Sequence, residues 1–284
     1  MGGAAEYGAE AEGVRGAASA RGAFAGPLSP LPMHGRPRQL VVVLAVAFNL
    51  VLNGLAGAGL LFGVQTGAVS GANDTPITPP GWAFSIWSVI FVGVAVFAVW
   101  QALPAQRGPR VDRVAGPFVL ANLLNGLWQI PWLTGRFGLA AVVIVGILAS
   151  LVALYVRLDR LSLRGAERWA MGVPTALWLA WLAVATPLNL TVWLRSLGWT
   201  ADAVVWPILV IAAVAAVGVW WLSRTADLAA ALVLWWAFAA IGTGVEGALL
   251  VTIGAAALAV LGALVVGARR QSLWPTAHAV GSLS

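Results

Sequence analysis

The chain has 284 residues, of which 61% are hydrophobic and only 9% are charged, and its mean hydropathy is +0.90. About a quarter of the residues of a soluble domain are charged, so this composition excludes that class and predicts an all-α, polytopic bundle of transmembrane helices. The formal net charge of +6 does not indicate nucleic-acid binding, because the basic residues stand at the ends of apolar runs.

The first 38 residues are rich in Gly, Ala, Pro and Arg and show no apolar stripe, which predicts a disordered cytoplasmic tail. A signal peptide is the alternative, but the next apolar run, Leu40–Phe62, is longer than the ~7–15 residues of a signal core.

Eight apolar segments follow, each near the ~20 residues that a bilayer requires, and the seventh is the shortest. They are Leu40–Phe62, Trp82–Ala102, Val114–Trp132, Phe137–Val156, Trp169–Leu194, Ala203–Leu222, Leu228–Thr243 and Gly247–Val266. Residues 269–284 are predicted to form a second cytoplasmic tail.

The arginines test this count independently, because all 16 basic residues are arginine. With the N-terminus in the cytoplasm, fourteen of the 16 fall in inside segments, and only Arg136 and Arg195 fall outside. This asymmetry is what the positive-inside rule expects of eight spans in the inner (plasma) membrane, with both termini cytoplasmic.

Two spans carry polar and aromatic side chains on one helical face. The third has Asn122, Asn125, Trp128, Gln129 and Trp132 within an arc of roughly 120°. Amides facing lipid would leave their donors and acceptors unpaired, so this face is predicted to point inward. It would serve either as glue between helices, which the spacing alone favours, or as the polar wall of a ligand cavity.

The fifth span repeats the pattern with Trp178, Trp181, Ala185, Asn189 and Trp193. Two indoles near an amide would suit a large planar apolar ligand, and simple core packing explains them as well. Asn49 and Asn53 of the first span are followed by glycines, so helix packing is preferred there.

The loop between Gly63 and Pro80 is long for a compact bundle, which is typical of lids and binding loops. It is predicted to lie on the same side as Arg195, which could meet a carboxylate. No histidine or cysteine lies in a span, and no catalytic motif is present. We therefore expect no catalytic residue, no metal site and no required cofactor, and no enzymatic activity.

Three ordered segments resemble the tryptophan-rich sensory protein family, TspO, also called the translocator protein family. The first is Pro79-Pro80-Gly-Trp82 with Trp87 and Val99-Trp100, and the second is Leu124-Asn125-Gly-Leu-Trp128 with Gly135-Arg136. The third and most specific runs from Leu179 to Trp193 and resembles the fifth-helix motif LAWxxxATxLNxxVW.

The resemblance implies a five-helix domain over residues 40–200, with residues 201–268 as a three-helix extension. It implies binding of porphyrins or other tetrapyrroles in a cavity under the loop after the first helix. The residues that it places in or beside that cavity are Trp82, Trp87, Asn125, Trp128, Trp178, Trp181 and Asn189. It therefore favours a cavity wall for the two polar-aromatic faces.

One departure from the family pattern concerns ligand choice. Leu190 stands where the family has a tyrosine that centres a sterol-binding motif, so sterol binding by that motif is not implied. Together with the hydrophobic composition, the resemblance implies a membrane protein that binds a hydrophobic aromatic ligand for sensing or transport, and a porphyrin is the bound molecule that it suggests. The alternatives are a small-molecule permease that uses all eight helices and a porphyrin-modifying enzyme. The expected partners are the bilayer, that ligand and a second copy of the chain in a homodimer, and not nucleic acid.

Overall fold

The structure is a computed structural model that describes residues 34–200 and 202–273. Its regular elements are all helical, and these residues contain no strand. The helices are α1 Gly35–Gly57, α2 Thr66–Ala72, α3 Ile86–Ala102, α4 Pro109–Leu133, α5 Phe137–Asp159, α6 Val173–Ser196, α7 Val205–Thr225, α8 Leu228–Gly242 and α9 Gly247–Leu273. The 3-10 helix Gly81–Ser85 leads into α3, Pro104–Gln106 follows it, and Gly165–Glu167 and the π-helical turn Arg168–Gly172 lead into α6.

All eight predicted segments form helices, but the first helix ends at Gly57, five residues before its predicted end at Phe62, because Gly59 and Phe62 adopt positive φ angles. Within the described residues, six stretches are long and apolar enough to cross a membrane: Gly35–Gly57, Gly81–Ala102, Phe137–Asp159, Gly165–Ser196, Val205–Thr225 and Gly247–Gln271. Two predicted spans, α8 and α4, do not meet this standard of length and hydropathy, for separate reasons. Helix α8 is apolar but has only 15 residues, and α4 carries amides and charged residues that lower its hydropathy. The described chain is thus a polytopic helical bundle.

The predicted tails overlap the ends of two helices. Residues 1–33 and 274–284 lie outside the described residues, but α1 begins at Gly35, five residues before the predicted start. The reason is that Arg38 is fully buried, where it pairs with Asp112 at 3.3 Å and donates to the carbonyl oxygen of Gln106. Likewise, α9 extends past residue 269, and Gln271 donates to the carbonyl oxygen of Thr225 at 2.7 Å.

The outer surface of the bundle is apolar, as a lipid-facing surface requires. On α3, Val92 is 64% and Val99 is 68% exposed, whereas Ile90 and Val94 on the opposite face are buried. Water would penalise such exposed valines, and hydrocarbon does not. The helix therefore has one face for lipid and another for its neighbours.

The two ends of the bundle differ in charge. At one end, here the loop end, the segment 63–80 meets α6 through a hydrogen bond from Arg195 Nη1 to the carbonyl oxygen of Asp74 (2.9 Å). This contact confirms the predicted placement of the loop beside Arg195. The other described arginines, apart from Arg136 at the α4–α5 turn, lie at the opposite end, here the basic end.

The two last long helices pack closely enough to require glycine. A Cβ on Gly267 of α9 would press against the backbone carbonyl oxygen of Leu222 in α7. On the same helix, a Cβ on Gly262 would meet open space. At Gly267 the backbones of α7 and α9 therefore approach each other directly, whereas near Gly218 of α7 the side chain of Val260 lies between the two helices.

Candidate ligand cavity

A space of about 230 Å³, here the inner cavity, lies between α1, α3, α4, α5 and α6, beneath the short helix α2. Its wall is mostly apolar and aromatic, with a few amides and hydroxyls, and among the described residues none of the side chains that line it is titratable. The lining includes Asn53, Thr66, Phe84, Trp87, Phe91, Asn125, Trp128, Gln129, Trp132, Trp181 and Asn189.

Aromatic rings form one side of the inner cavity. Trp87 stacks on Phe91, with ring centroids 5.2 Å apart, because the two residues are one helical turn apart on α3. Trp181 of α6 meets Trp87 edge-on at 6.4 Å and Phe84 edge-on at 6.2 Å. Edge-to-face contacts hold rings in fixed orientations, so this wall is a built aromatic surface.

A second aromatic pair lies on α4, where Trp128 stacks on Trp132 with centroids 5.0 Å apart. The Nε1 atom of Trp128 donates to Asn189 Oδ1 at 3.2 Å, and Asn189 Nδ2 donates to the carbonyl oxygen of Ala185. The hydrogen bond between Trp128 and Asn189 therefore joins the predicted polar-aromatic face of α4 to that of α6.

The amides of α4 also bind α1, in a chain of hydrogen bonds here called the amide ladder. Asn49 Nδ2 donates to Asn122 Oδ1 at 2.9 Å, and Asn125 Nδ2 donates to Asn49 Oδ1 at 2.8 Å. Asn53 Nδ2 donates to the same Oδ1 at 2.7 Å, and Gln129 Nε2 donates to Asn53 Oδ1 at 2.6 Å.

The predicted polar face of α4 both bonds to α1 and borders the inner cavity. Asn49 and Asn122 are fully buried and outside the cavity lining, so they bind helix to helix. Asn125 and Gln129 take part in the ladder and also border the cavity. Close approach of α1 and α4 makes this possible: a Cβ on Gly126 would lie 2.9 Å from the ring of Phe48.

Seven residues were predicted to lie in or beside the cavity, and the structure brings five of them together there. Those five are Trp87, Asn125, Trp128, Trp181 and Asn189. Trp82 lies outside the lining, half exposed, with its ring edge-on to Trp236 of α8 at 5.1 Å. Trp178 is 1% exposed and also outside the lining, and its Nε1 has no hydrogen-bond partner among the described residues.

The lining also includes residues that were not predicted to lie there, among them Phe91, Phe84 and Thr66. Phe91 could have been found from its position one turn after Trp87 on the same face of α3. Phe84 lies in the 3-10 helix before α3, and Thr66 begins the short helix α2 inside the predicted loop, so neither follows a helical spacing signal.

The loop segment is fastened over the inner cavity at Thr66. Thr66 Oγ1 donates to Gln129 Oε1 at 2.8 Å, and Trp132 Nε1 donates to the carbonyl oxygen of Thr66 at 3.2 Å. Both partners are cavity residues of α4. The loop is therefore bonded directly to the wall of the cavity that it covers.

A larger space of about 810 Å³, here the vestibule, lies at the loop end between the loop segment and helices α6, α7 and α8. It shares Gly67, Ser70, Thr78, Pro79 and Phe84 with the inner cavity, so these residues separate the two spaces. The C-terminal helices contribute to it through residues such as Trp206, whose Nε1 donates to Thr191 Oγ1 at 3.1 Å.

The vestibule contains the charged groups that the inner cavity lacks, namely Asp74, Arg195 and Asp202. The backbone N–H groups of Val204 and Val205 donate to Asp202 Oδ1, and these bonds lower the pKa of that carboxyl below its ordinary value. The guanidinium of Arg195 is exposed and uses one of its five donors on the loop, so others remain for a ligand.

A comparison with models of protein families found a match over residues 39–268 to a family described as TSPO-like protein. The match begins in α1 and reaches into α9, so it includes the three helices predicted as an extension and marks no boundary near residue 200. Comparisons with curated proteins and with solved structures each found no match.

Proposed function

The chain is a multi-pass membrane protein that belongs to the TSPO-like family, and we propose on that premise that it binds a tetrapyrrole for sensing or transport. The observation that supports this most directly is the aromatic wall of the inner cavity. A flat conjugated ring gains most from faces and edges of indole rings held in fixed orientation, and Trp87, Trp128 and Trp181 offer them.

The polar groups of the wall suit the same guest. A tetrapyrrole has N–H donors and basic nitrogens at its centre, and the amide of Asn125 and the Asn189 oxygen can meet groups of either kind. Its acidic side chains need a cation, and Arg195 of the vestibule offers one next to the inner cavity. The guest's ring would thus lie inside while its carboxylates reach the vestibule.

Size places a condition on this binding mode. Pockets for drug-sized ligands usually measure about 300–1,000 Å³, and the inner cavity at about 230 Å³ is smaller. Thr78, Pro79 and Phe84 lie between the inner cavity and the vestibule, so they must move for the two spaces to form one site that holds a macrocycle. The hydrogen bonds of Thr66 to Gln129 and Trp132 would have to break at the same time.

The test uses two tryptophans that stand three residues apart on α6. Both are buried, but only Trp181 lines the cavity, so Trp178→Ala is the matched control. We expect Trp181→Ala to weaken protoporphyrin binding about tenfold, or about 1–2 kcal/mol, through loss of one aromatic face. Trp178→Ala should lower stability and leave the dissociation constant of the folded fraction unchanged.

Binding is measured from the Soret absorbance shift of protoporphyrin on protein in detergent, after gel filtration removes misfolded material. Equal affinities of wild type and Trp181→Ala would reject the cavity as the site. A similar loss in both variants would show that the effect comes from altered packing.

A second candidate, a permease, is favoured by the vestibule, because the helices α7 and α8 help to form it. Flux of protoporphyrin into proteoliposomes distinguishes transport from sensing. A transporter moves the compound across the membrane, whereas a sensor binds it without flux.

A further inference from the structure

A second pair of spaces lies toward the other end of the bundle and shares no lining residue with the inner cavity or the vestibule. A groove of about 500 Å³ runs between α5, α6 and α7, lined almost entirely by apolar side chains. Three of its residues, Val152, Val217 and Trp220, are 46%, 52% and 60% exposed, so the groove opens on the outer surface of the bundle. In a membrane protein that surface faces lipid.

The groove leads into a polar pocket of about 420 Å³ at the basic end. The two spaces share Tyr155, Asp159, Arg224 and Thr225, so they adjoin at these residues. The pocket adds Arg168, Ser162 and Gln271 to these groups. An apolar groove that ends at a polar pocket matches the shape of an amphipathic molecule, which has an apolar tail and a polar head.

The length of the groove matches one leaflet of a bilayer. Along α5 it extends from Leu148 to Asp159, which is ~16 Å at 1.5 Å per residue. Half the thickness of a hydrocarbon core is ~15 Å. An acyl chain lying in the groove would therefore end near the bilayer midplane while its headgroup lay in the polar pocket.

The pocket is lined by two arginines and two aspartates, so the headgroup that it suits depends on which of these groups are already engaged. Asp227 is already engaged, because it accepts from the Tyr155 hydroxyl at 2.9 Å and from the N–H groups of Ala229 and Ala230 at the start of α8. Asp159 lies at the rim and is exposed.

The two arginines of the pocket, Arg168 and Arg224, make fewer hydrogen bonds than Asp227. Arg168 has no hydrogen-bond or ion-pair partner among the described residues. The guanidinium of Arg224 lies 4.7 Å over the ring of Trp220, and its only hydrogen bond within the described residues is a long one of 3.4 Å to a carbonyl oxygen. Both side chains can therefore turn their donors to a phosphate, which Arg binds well.

We propose that the groove and the polar pocket together bind one anionic phospholipid, with its phosphate at Arg168 and Arg224 and an acyl chain between α5, α6 and α7. This lipid fastens α7 to the helices that form the tetrapyrrole site. The bound molecule comes from the bilayer, so the chain is expected to retain it through gentle purification.

The first experiment tests the headgroup. Delipidated protein in neutral detergent is titrated with dioleoyl phosphatidylglycerol or dioleoyl phosphatidylcholine, and native mass spectrometry counts bound lipid. We expect one phosphatidylglycerol per chain, with affinity for it about tenfold above that for phosphatidylcholine, and loss of the preference in the double variant Arg168→Gln/Arg224→Gln. Arg160→Gln, at an exposed arginine that borders neither space, is the control and should bind as wild type.

The second experiment tests the acyl groove. Val217→Phe fills the groove from an exposed position, so it should lower phosphatidylglycerol affinity without a core defect, whereas Leu209→Phe on the same helix but outside the groove should not. Glycerol phosphate, which lacks acyl chains, should not compete. Equal binding of the two lipids to wild type, or unchanged binding in the arginine variant or in Val217→Phe, would overturn the proposal. An equal loss in Arg160→Gln would also overturn it, because the attraction would then belong to the whole basic surface.

Discussion

The amide ladder predicts a large stability cost for one buried asparagine. In Asn49→Leu the side chain keeps its approximate volume but loses its amide, and two buried groups lose the partners that the ladder provides. These are Asn122 Oδ1, bonded to Asn49 at 2.9 Å, and Asn125 Nδ2, bonded at 2.8 Å. Asn53 Nδ2 keeps a second bond to the backbone oxygen of residue 49.

The size of the effect follows from those two groups. A buried polar group left without a partner costs about 1–3 kcal/mol, and interhelical hydrogen bonds in membranes average ~0.6 kcal/mol. For two groups we expect Asn49→Leu to lower the free energy of unfolding by about 2–3 kcal/mol. Asn73→Leu removes an amide that bonds only within the loop segment, to the carbonyl oxygen of Val69, and should cost much less.

The assay is reversible unfolding in mixed micelles, with SDS as denaturant and helical circular dichroism as the signal. A double-mutant cycle with Asn125→Leu isolates the pair, and a coupling energy above ~0.5 kcal/mol is expected because the two side chains share a bond. A loss below ~0.5 kcal/mol in Asn49→Leu, together with zero coupling, would refute the view that the ladder holds α1 to α4.

Three further predictions concern other parts of the structure. Gly267→Ala should lower the unfolding temperature because its methyl group meets backbone of α7, whereas Gly262→Ala, in open space, should be neutral or stabilising by ~0.5–1 kcal/mol. Thr66→Val should speed proteolysis of residues 63–80, because it removes the bond to Gln129, and Thr66→Ser should not. Asp202→Ala should lower the unfolding temperature at pH 7. Backbone donors lower the pKa of Asp202 in the folded protein. The stabilisation by its charge is therefore present above the unfolded pKa of about 4 and is lost as the pH falls through the lower folded pKa. The difference in unfolding temperature between wild type and Asp202→Ala should narrow in that acidic range.

The helices were predictable because lipid restricts the backbone so strongly. A spanning segment must satisfy its own hydrogen bonds, so apolar runs of the right length become helices, and each of the eight runs did. The helix ends were less predictable. Arg38 looks like a residue of a solvated tail, but a carboxylate 74 positions later in the chain, on Asp112, draws it into the bundle. Such a distant partner leaves no local pattern in the sequence.

The candidate site was predictable as faces but not as individual contacts. Trp178 and Trp181 are three residues apart, so their directions differ by only ~60° around α6, and a predicted arc of ~120° includes both. Only Trp181 reaches the cavity, because the position of the neighbouring helices decides which side of the arc meets space. The same limit applied to α4, where Asn122 binds α1 and Asn125 also borders the cavity.

The side-chain oxygen of Gln129 has a consequence for how the protein opens. It accepts from Thr66 Oγ1, and Gln129 also lines the inner cavity. A guest that displaces Thr66 from Gln129 would favour the open loop, and by linkage the open form would bind that guest more tightly than the closed form by the same factor. The position of the loop and the occupancy of the proposed site would then report on one shared equilibrium.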